Sequence, residues 1–584
     1  MDLVIQKRSV EYLYNLIFRQ GEITPLVPYE PQKHEMPAFV PDQPLPAAPP
    51  ESEGISSDYL RGFLDEVTKD PSINLHSLLI LRHGRILAEA NVFPYRRENW
   101  HVSHSLCKGI TGLAAGMLYD EGKLHLDDAV YSYFPERPAL LTGQKMKNVQ
   151  IRHLLTMTSG VIFNEIGGAT EEDLVRGFLE SGLHFAPGSE FQYNSMNSYM
   201  LSAIVQRITG GTMLDYLKKK LFGPLGITCV DWEVCPRGIT KGGWGMYMRP
   251  EDMAKIGQMM LQKGIWNGGR IISEEWLSMM TAPQAPIEPQ FGSYGYGFQT
   301  WMTKRPGGFM FNGLFSQNII VYPDLEMVIA TTAGSNNVMS NGKLNELLEK
   351  YFEGDFRPSK PWTARDAHER LLARIRQLTQ APVSRYPDEV IPVWRSLSGR
   401  VYTLEPSGVS LLPLVTQAMH NNFSNGVKKI GFAYTDKGFF LLVQEGGVKR
   451  RIPVGMGSVI YKEQDFRGEP YLIGASCVLA KNEDDVPVLK IRLDYPEMSN
   501  SRLLKIFLYD GRILTKWEEI PGKEMLLQCL ITVLEAGSRS NLVKMLAAYA
   551  DSELVDFKLT QVIEPVVWGE QTFELGRKKE SSDQ

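Results

Sequence analysis

Cysteine is scarce in this chain: five in 584 residues, at Cys107, Cys229, Cys235, Cys477 and Cys529. They form no CxxC pair, which excludes a disulfide framework and a zinc-ribbon type of site. The ten histidines are scattered and no HExxH occurs, so no metal and no cofactor is expected. There is no long basic block and no basic-aromatic stripe, and the net charge is −5, which argues against nucleic acid as a partner. No apolar run is long enough to span a bilayer. The opening stretch, MDLVIQKRSVEYLYNLIFRQ, is broken by Asp2, Gln6, Lys7, Arg8 and Glu11. It reads as a short amphipathic helix rather than a signal peptide, so the expected compartment is the cytoplasm, with a surface role for this helix left open. A GxSxG nucleophile elbow is also missing.

What is present is an ordinary globular composition, 43% hydrophobic and 22% charged, enough for each of two to four domains to bury a core. Residues 1–50 comprise the first helix and a proline-rich stretch, AFVPDQPLPAAPP at 38–50, expected to be an extended linker or an arm lying over the next domain. Ser56-Ser57 opens a helix with Leu60, Phe63, Leu64 and Val67 on one face. Apolar runs around His83-Gly84 (SLLILRHGRILAEA) predict a β-hairpin, and so do NIIVY and MVIATT around Pro323-Asp324. Helical and loop-like sequence separates the two hairpins. The order predicts one sheet built from both ends of a domain spanning 51–356, with a helical insertion between them. Residues 357–384 read as a linker helix. From 385 to 575, short runs such as SGRVYTL, GFFLLVQ and VLKIRL alternate with turn residues and predict an antiparallel β domain. Residues 576–584 read as a disordered tail.

The chemistry centres on HVSHSLCKGITGLAAG, residues 101–116. Ser105 and Lys108 stand three apart and share a helix face. The small residues that follow, Gly109, Gly112, Ala114, Ala115 and Gly116, predict a buried helix with other backbone close against it. Burial disfavours the charged form of the Lys108 amine, so that it can take the proton of Ser105. At the helix start, the Ser105 amide is placed to donate to an oxyanion. SxxK by itself is a weak signal, and a second copy, Ser340 and Lys343, lies in a polar turn. Tyr193 lies in a polar loop before the helix LSAIVQRITGG. A phenol near a lysine serves as base and then acid, whereas the plain alternative is a rim tyrosine holding a loop. Thr158-Ser159-Gly160 reads as a structural turn. His101 and His104 sit too close in sequence to Ser105 to make an obvious Ser–His pair and read as packing or rim residues. Cys107 reads as a small buried residue beside the active helix.

Ser105-Leu-Cys-Lys108, Tyr193-Asn-Ser195 and the text around them resemble the serine β-lactamase-related superfamily. Within it, the chain is most similar to class C β-lactamases, family VIII esterases, D,D-carboxypeptidases, D-aminopeptidases and 6-aminohexanoate-dimer hydrolases. The resemblance covers roughly residues 50–350. Its matching stretches are PESEGISSDYLRGFL, MLYDEGKLHLDDAVYSYFPE, IRHLLTMTSGV, PGSEFQYNSMNSYMLSAIVQRITGGT, LFGPLGI and GMYMRPEDMAKIGQMMLQKGIWNGGRIIS.

This resemblance implies an α+β fold: a β-lactamase/transpeptidase-like catalytic domain with an antiparallel sheet flanked by helices, plus a helical subdomain. The C-terminal β domain is similar to lipocalin-like appendages. Ser105 then corresponds to the acylated nucleophile, Lys108 to its proton acceptor and Tyr193 to the proton shuttle. The second motif departs from Tyr-x-Asn, since its third residue is Ser195; Asn194 and Asn197 are neighbours able to compensate. The third motif departs further. In FMFNGLFSQNIIVYP, Gly313 matches the family's glycine, Phe311 stands at the cationic position and Asn312 follows it. The Leu314 amide corresponds to the second oxyanion donor, which needs no particular side chain. Losing the fixed cation weighs against β-lactam turnover and D,D-peptidase action. It favours neutral or apolar small-molecule esters and amides, with Phe311 and Phe315 lining an acyl pocket or lying in the core. The implied activity is acyl hydrolysis through an acyl-serine. D-amino-acid peptidase or β-lactamase activity, and a non-catalytic ligand-binding role, are the alternatives. The β domain is a candidate for covering the active-site mouth or for assembling a homo-oligomer.

Overall fold

His83 and Gly84 both take positive φ, 48° and 73°, the backbone of a two-residue turn whose twist matches its flanking strands. They close the hairpin of β1 (Leu75–Arg82) and β2 (Arg85–Asn91). The computed structural model describes residues 8, 11–12, 15, 27–137, 146–285, 287, 294–335, 342–381, 387–525, 527 and 553–574. Most of the first helix expected from the sequence, Ser340 of the second SxxK copy and the tail lie outside these residues. No helix among the described residues is long and apolar enough to cross a membrane.

Four more strands complete the sheet: β3 (Trp301–Met302), β4 (Phe309–Gly313), β5 (Gln317–Tyr322) and β6 (Met327–Ala333). Its order is β2-β1-β6-β5-β4-β3 and every pairing is antiparallel. The β1–β6 pairing, with Ile80 opposite Ile329 and Leu81 opposite Val328, joins the two hairpins that lie more than 200 residues apart, as the sequence predicts. Between them runs the helical insertion, including α2 (Cys107–Asp120), α3 (Ser195–Thr209) and α4 (Pro250–Leu261).

Side chains of a strand alternate between faces. Leu79, Leu81, Phe309, Phe311, Ile319, Val321 and Val328 join one core with α2, α3 and α4. Leu78, Ile80, Met310, Ile320, Tyr322 and Ile329 join another on the opposite face. That face is covered by α1 (Ser57–Lys69) and α5 (Lys343–Phe352). Ser56 caps α1 by accepting from the Tyr59 amide at 3.4 Å, and Leu60, Phe63, Leu64 and Val67 are fully buried.

The chain divides into two units, with described residues 27–380 in the first and 387–525 and 553–574 in the second. The proline-rich stretch is an arm fixed to the first unit. Ala47 bridges Ile86 in parallel, Pro46 O accepts from the Ile86 amide at 2.7 Å, and Lys255 Nζ donates to Asp42 O at 2.7 Å. The helix read as a linker, α6 (Arg365–Thr379), also belongs to the first unit. Arg370 pairs with Asp58 at 2.6 Å and Arg374 with Asp65 at 2.6 Å, so it lies along α1.

In the second unit, the strands 448–456, 438–445, 427–435, 400–404, 566–574, 512–520, 501–508, 487–494 and 469–481 are hydrogen-bonded in that order. A short parallel pairing of Gly455 with Ser476 and Met456 with Cys477 joins the last strand to the first. The result is a closed nine-strand barrel, with Ile460–Phe466 added on one side. Alternate residues such as Phe439, Leu441 and Val443 are buried while their neighbours are partly exposed, the expected pattern for a barrel wall.

Candidate active site

Three glycines set the position of α2. A Cβ on Gly109 would stand 2.4–2.5 Å from the Phe311 ring. On Gly112 it would meet Phe298 O at 3.1 Å and Gln299 Cβ at 3.3 Å, and on Gly116 the Trp276 indole at 2.2–2.5 Å. Spaced by three and four residues, they form one face on which the helix approaches its neighbours more closely than any side chain permits. This explains why residues 107–118 are all buried.

Ser105 lies in a 3₁₀ turn, His104–Leu106, leading directly into α2. His104 takes φ 46° and packs edge-on against Phe315, ring centroids 5.4 Å apart. Phe315 and Ser316, at φ 64° and 74°, form the tight turn after β4. Two strained turns thus brace each other, each non-glycine residue at positive φ costing about 1 kcal/mol or more. Gly313 is the contact between them. A Cβ there would stand 2.4 Å from Ser103 O and 3.2 Å from Ser105 N. Gln317 Nε2 donates to Leu314 O at 3.0 Å and to Ala333 O at 2.7 Å, which fixes the carbonyl side of the Leu314 turn.

Lys108 is only 2% exposed. Its Nζ lies 2.8 Å from Ser105 Oγ and donates to Gly243 O at 2.7 Å. The same nitrogen stands 5.0 Å from the centroid of the Tyr193 ring. Tyr193 stacks on Trp301, centroids 5.5 Å apart, and meets Tyr296 edge-on at 6.4 Å. Burial, with the Tyr193 phenol beside it, drives the Tyr296 phenol well above its usual range, so Tyr296 stays protonated. Burial also pushes the Cys107 thiol up to about 12, which keeps it neutral beside Ser105 and Lys108.

Other residues singled out from the sequence lie elsewhere. Phe311 is 2% exposed and lies under Gly109 in the core. The amide of Asn312 points to the opposite face of β4, where Nδ2 donates to Asn318 Oδ1 at 2.7 Å. Asn318 in turn donates to Thr331 Oγ1 and Asn345 Oδ1, both at 3.0 Å. Ser195, the first residue of α3, lies against Gly243. Asn194 caps α3 through the Met196 amide at 2.8 Å and donates to Val161 O and Phe163 O. Asn197 Oδ1 accepts from Ser159 Oγ at 2.6 Å. Neither asparagine side chain makes up for the shorter Ser195. The turn expected at Thr158-Ser159-Gly160 falls instead at Thr156-Met157, and Gly160 follows it at φ 72°.

The nearby histidines are engaged with each other. A carbonyl only accepts, so His101 Nδ1 carries the proton it donates to Val102 O at 2.9 Å. His101 Nε2 then accepts from His76 Nδ1 at 2.9 Å, and His76 Nε2 accepts from Asn74 Nδ2 at 3.1 Å. Both His101 nitrogens are thereby occupied away from Ser105.

Two site groups were not singled out in the sequence. The Gly243 carbonyl belongs to the run Lys-Gly-Gly-Trp-Gly at 241–245, whose glycines mark a close backbone approach. Gly242, at φ 67°, accepts from Thr111 Oγ1 at 2.6 Å. The other is Glu165, which accepts from the Ser195 amide at 2.7 Å; a lone glutamate in a loop carries no sequence signal.

Residues 63–350 match the Beta-lactamase family model. The chain belongs to the serine β-lactamase-related superfamily through this segment. It is 27% identical over 283 residues to the 6-aminohexanoate-dimer hydrolase of Paenarthrobacter ureafaciens, a match covering 43% of this chain and 71% of that protein. It is 34% identical over 168 residues to Protein flp of Staphylococcus aureus (strain COL), covering 26% of this chain and 33% of that one. A solved structure of a penicillin-binding protein homolog from Caulobacter crescentus superposes with a TM-score of 0.43 at 15% identity, over 55% of this chain and 100% of that chain.

Proposed function

We propose that this chain is an SxxK serine acyl hydrolase acting on a small ester or amide through an acyl-Ser105 intermediate. The observation that carries the reading is the 2.8 Å approach of Lys108 Nζ to Ser105 Oγ, with the amine buried and anchored to Gly243 O. Ser105 Oγ attacks the carbonyl carbon as Lys108 takes its proton. The amides of Ser105 and Leu314 receive the oxyanion; the contact of Gly313 with the Ser105 turn supports that pairing. Tyr193 passes a proton to the leaving alcohol or amine. The C–O or C–N bond breaks, and the acyl group remains on Ser105. Water then attacks the acyl carbon, gives its proton back through the same groups and releases the acid. The names of the relatives, a dimer hydrolase among them, agree with hydrolysis as the reaction type.

The carboxylate-binding cation of the third motif is replaced by Phe311, whose ring is buried against Gly109. This favours substrates without a carboxylate beside the scissile bond. The lipocalin-like reading of the second unit rests on its closed ring of strands. Hydrolysis of p-nitrophenyl acetate and labelling by a fluorophosphonate test the main reading. Ser105→Ala is expected to abolish both. Undiminished turnover in that variant, or a label found on another residue, overturns the assignment.

A further inference from the structure

The outer wall of the barrel carries lysines in line. Residues directly opposite one another on neighbouring strands share a face of the sheet. Across the strands 469–481, 487–494, 501–508, 512–520 and 566–574, one such row runs Val478, Lys490, Lys505, Lys516, Val566. Two residues along, a second row runs Ala480, Val488, Phe507, Leu514, Trp568. Between them Leu489, Ile506, Thr515 and Val567 are buried inside the barrel, so both rows point outward. With strands about 4.8 Å apart, each row is about 19 Å long.

Like charges directly opposite one another repel, and here three lysines follow in register. Lys505 is paired with Glu518. Among the described residues, Lys490 and Lys516 have no carboxylate partner, and both are exposed. Lys516 Nζ lies 5.1 Å from the centroid of the Phe507 ring, and the Arg512 guanidinium, opposite Glu570, lies 4.6 Å from that of Trp568. Val478 and Val566, at the two ends of the lysine row, are 53% and 59% exposed. The whole chain carries a net charge of −5, so the row does not simply follow from a basic composition. Cations beside an apolar, aromatic row complement a surface that is anionic outside and apolar beneath. A nucleic-acid strand would engage the lysines but leave both valines in water. A two-fold copy of this face would set lysine against lysine.

We infer that this wall of the second unit is a docking surface for an anionic lipid membrane. Lys490, Lys505 and Lys516 meet the headgroups, and Val478, Val566 and Trp568 enter the interface. The inference needs no part of the acyl-hydrolase reading.

The test sediments the full-length protein with vesicles of phosphatidylcholine alone and of phosphatidylcholine with an equal share of phosphatidylserine. Binding is expected to the mixed vesicles only and to weaken as salt is raised. The double variant Lys490→Gln/Lys516→Gln is expected to bind them about 25-fold more weakly, about fivefold for each lysine. It should melt no lower than the parent, because it removes repulsion within the row; the loss of binding is then not a loss of fold. Val478→Ser/Val566→Ser should weaken binding while leaving its salt dependence in place. Equal binding to both vesicles, no binding to either at low salt, or a lysine double variant that sediments like the parent overturns the inference. So does capture of a single-stranded oligonucleotide, or self-association, that depends on the same lysines while the vesicles are ignored.

Discussion

Gly109→Ala adds one methyl group to the turn of helix that follows Lys108, and its two consequences separate. In an open helix the change would be favourable by about 1 kcal/mol, since alanine is the better helix former. Here the new methyl would stand 2.4–2.5 Å from three atoms of the Phe311 ring, against an ordinary carbon–carbon separation of about 3.5–4.0 Å. Something must move by about 1 Å. The Phe311 backbone has little freedom, because β4 is paired on both sides, Phe311 facing Ile319 and Met310 facing Trp301. Overpacking of this kind costs about 1–3 kcal/mol. Set against the helix gain, the net loss is only about 0–2 kcal/mol, a small fall in melting temperature.

The catalytic effect is larger. The displacement falls on the turn carrying Ser105 and Lys108, and a misplacement of about 1 Å costs on the order of 100-fold in rate. Gly109→Ala is therefore expected to lower kcat for p-nitrophenyl acetate about 100-fold while the melting temperature changes by a few degrees at most. Phe311→Leu in the same background removes the ring atoms and should recover a large part of the loss, as expected for residues in contact. Full activity in Gly109→Ala, or a higher melting temperature with no loss of rate, refutes the reasoning about the glycine face.

Tyr193→Phe keeps the ring on Trp301 and removes only the hydroxyl; kcat should fall about 10²–10⁴-fold with little change in thermal stability, measured by steady-state kinetics and melting. Phe311→Lys, which restores the cation of the third motif in name, buries its charge against Gly109. Loss of the phenyl packing alone costs about 3–5 kcal/mol, so the variant should melt well below the parent and gain no turnover of a chromogenic β-lactam. The Cys107 thiol, raised to about 12 by burial, should resist iodoacetamide at pH 8 in the native protein and react once denatured, as read by mass mapping. The sign of its pH dependence follows: above about pH 9 the unfolded thiol ionises while the folded one stays protonated, so this group lowers stability as pH rises from there toward 12.

Much of the first unit was legible because local signals agreed with its long-range architecture. His83-Gly84 and Pro323-Asp324 punctuate runs of the right length for hairpins, and the small residues of α2 leave no room for an exposed helix. What the sequence does not display is the partner of each surface. The amphipathic pattern of α6 identifies a helix, yet nothing in it says that Arg370 and Arg374 pair with Asp58 and Asp65 on α1. The proline-rich arm is similar: its extension follows from composition, while its bridge to Ile86 does not. The destination of Asn312 was available in principle. Strand parity puts it opposite Gly313, the residue that touches the Ser105 turn, so its amide had to face away toward Asn318.

The same parity explains how the third motif can lose its charge without dismantling the geometry around Ser105. Gly313 does its part through the absence of a side chain, and the proposed oxyanion donors are backbone amides. Side-chain identity at 311 and 312 is therefore released from the acyl-transfer step. Phe311 is instead tied to Gly109, and Asn312 to the network through Asn318. Both residues became part of the frame that holds α2 against β4. Changes at these two positions should then register first as lost stability or displaced reactive groups. A variant series crossing Gly109 and Phe311 tests this: the pair should be strongly non-additive in rate. Additivity between Gly109→Ala and Phe311→Leu would show that the two residues do not share the contact that ties Phe311 to α2.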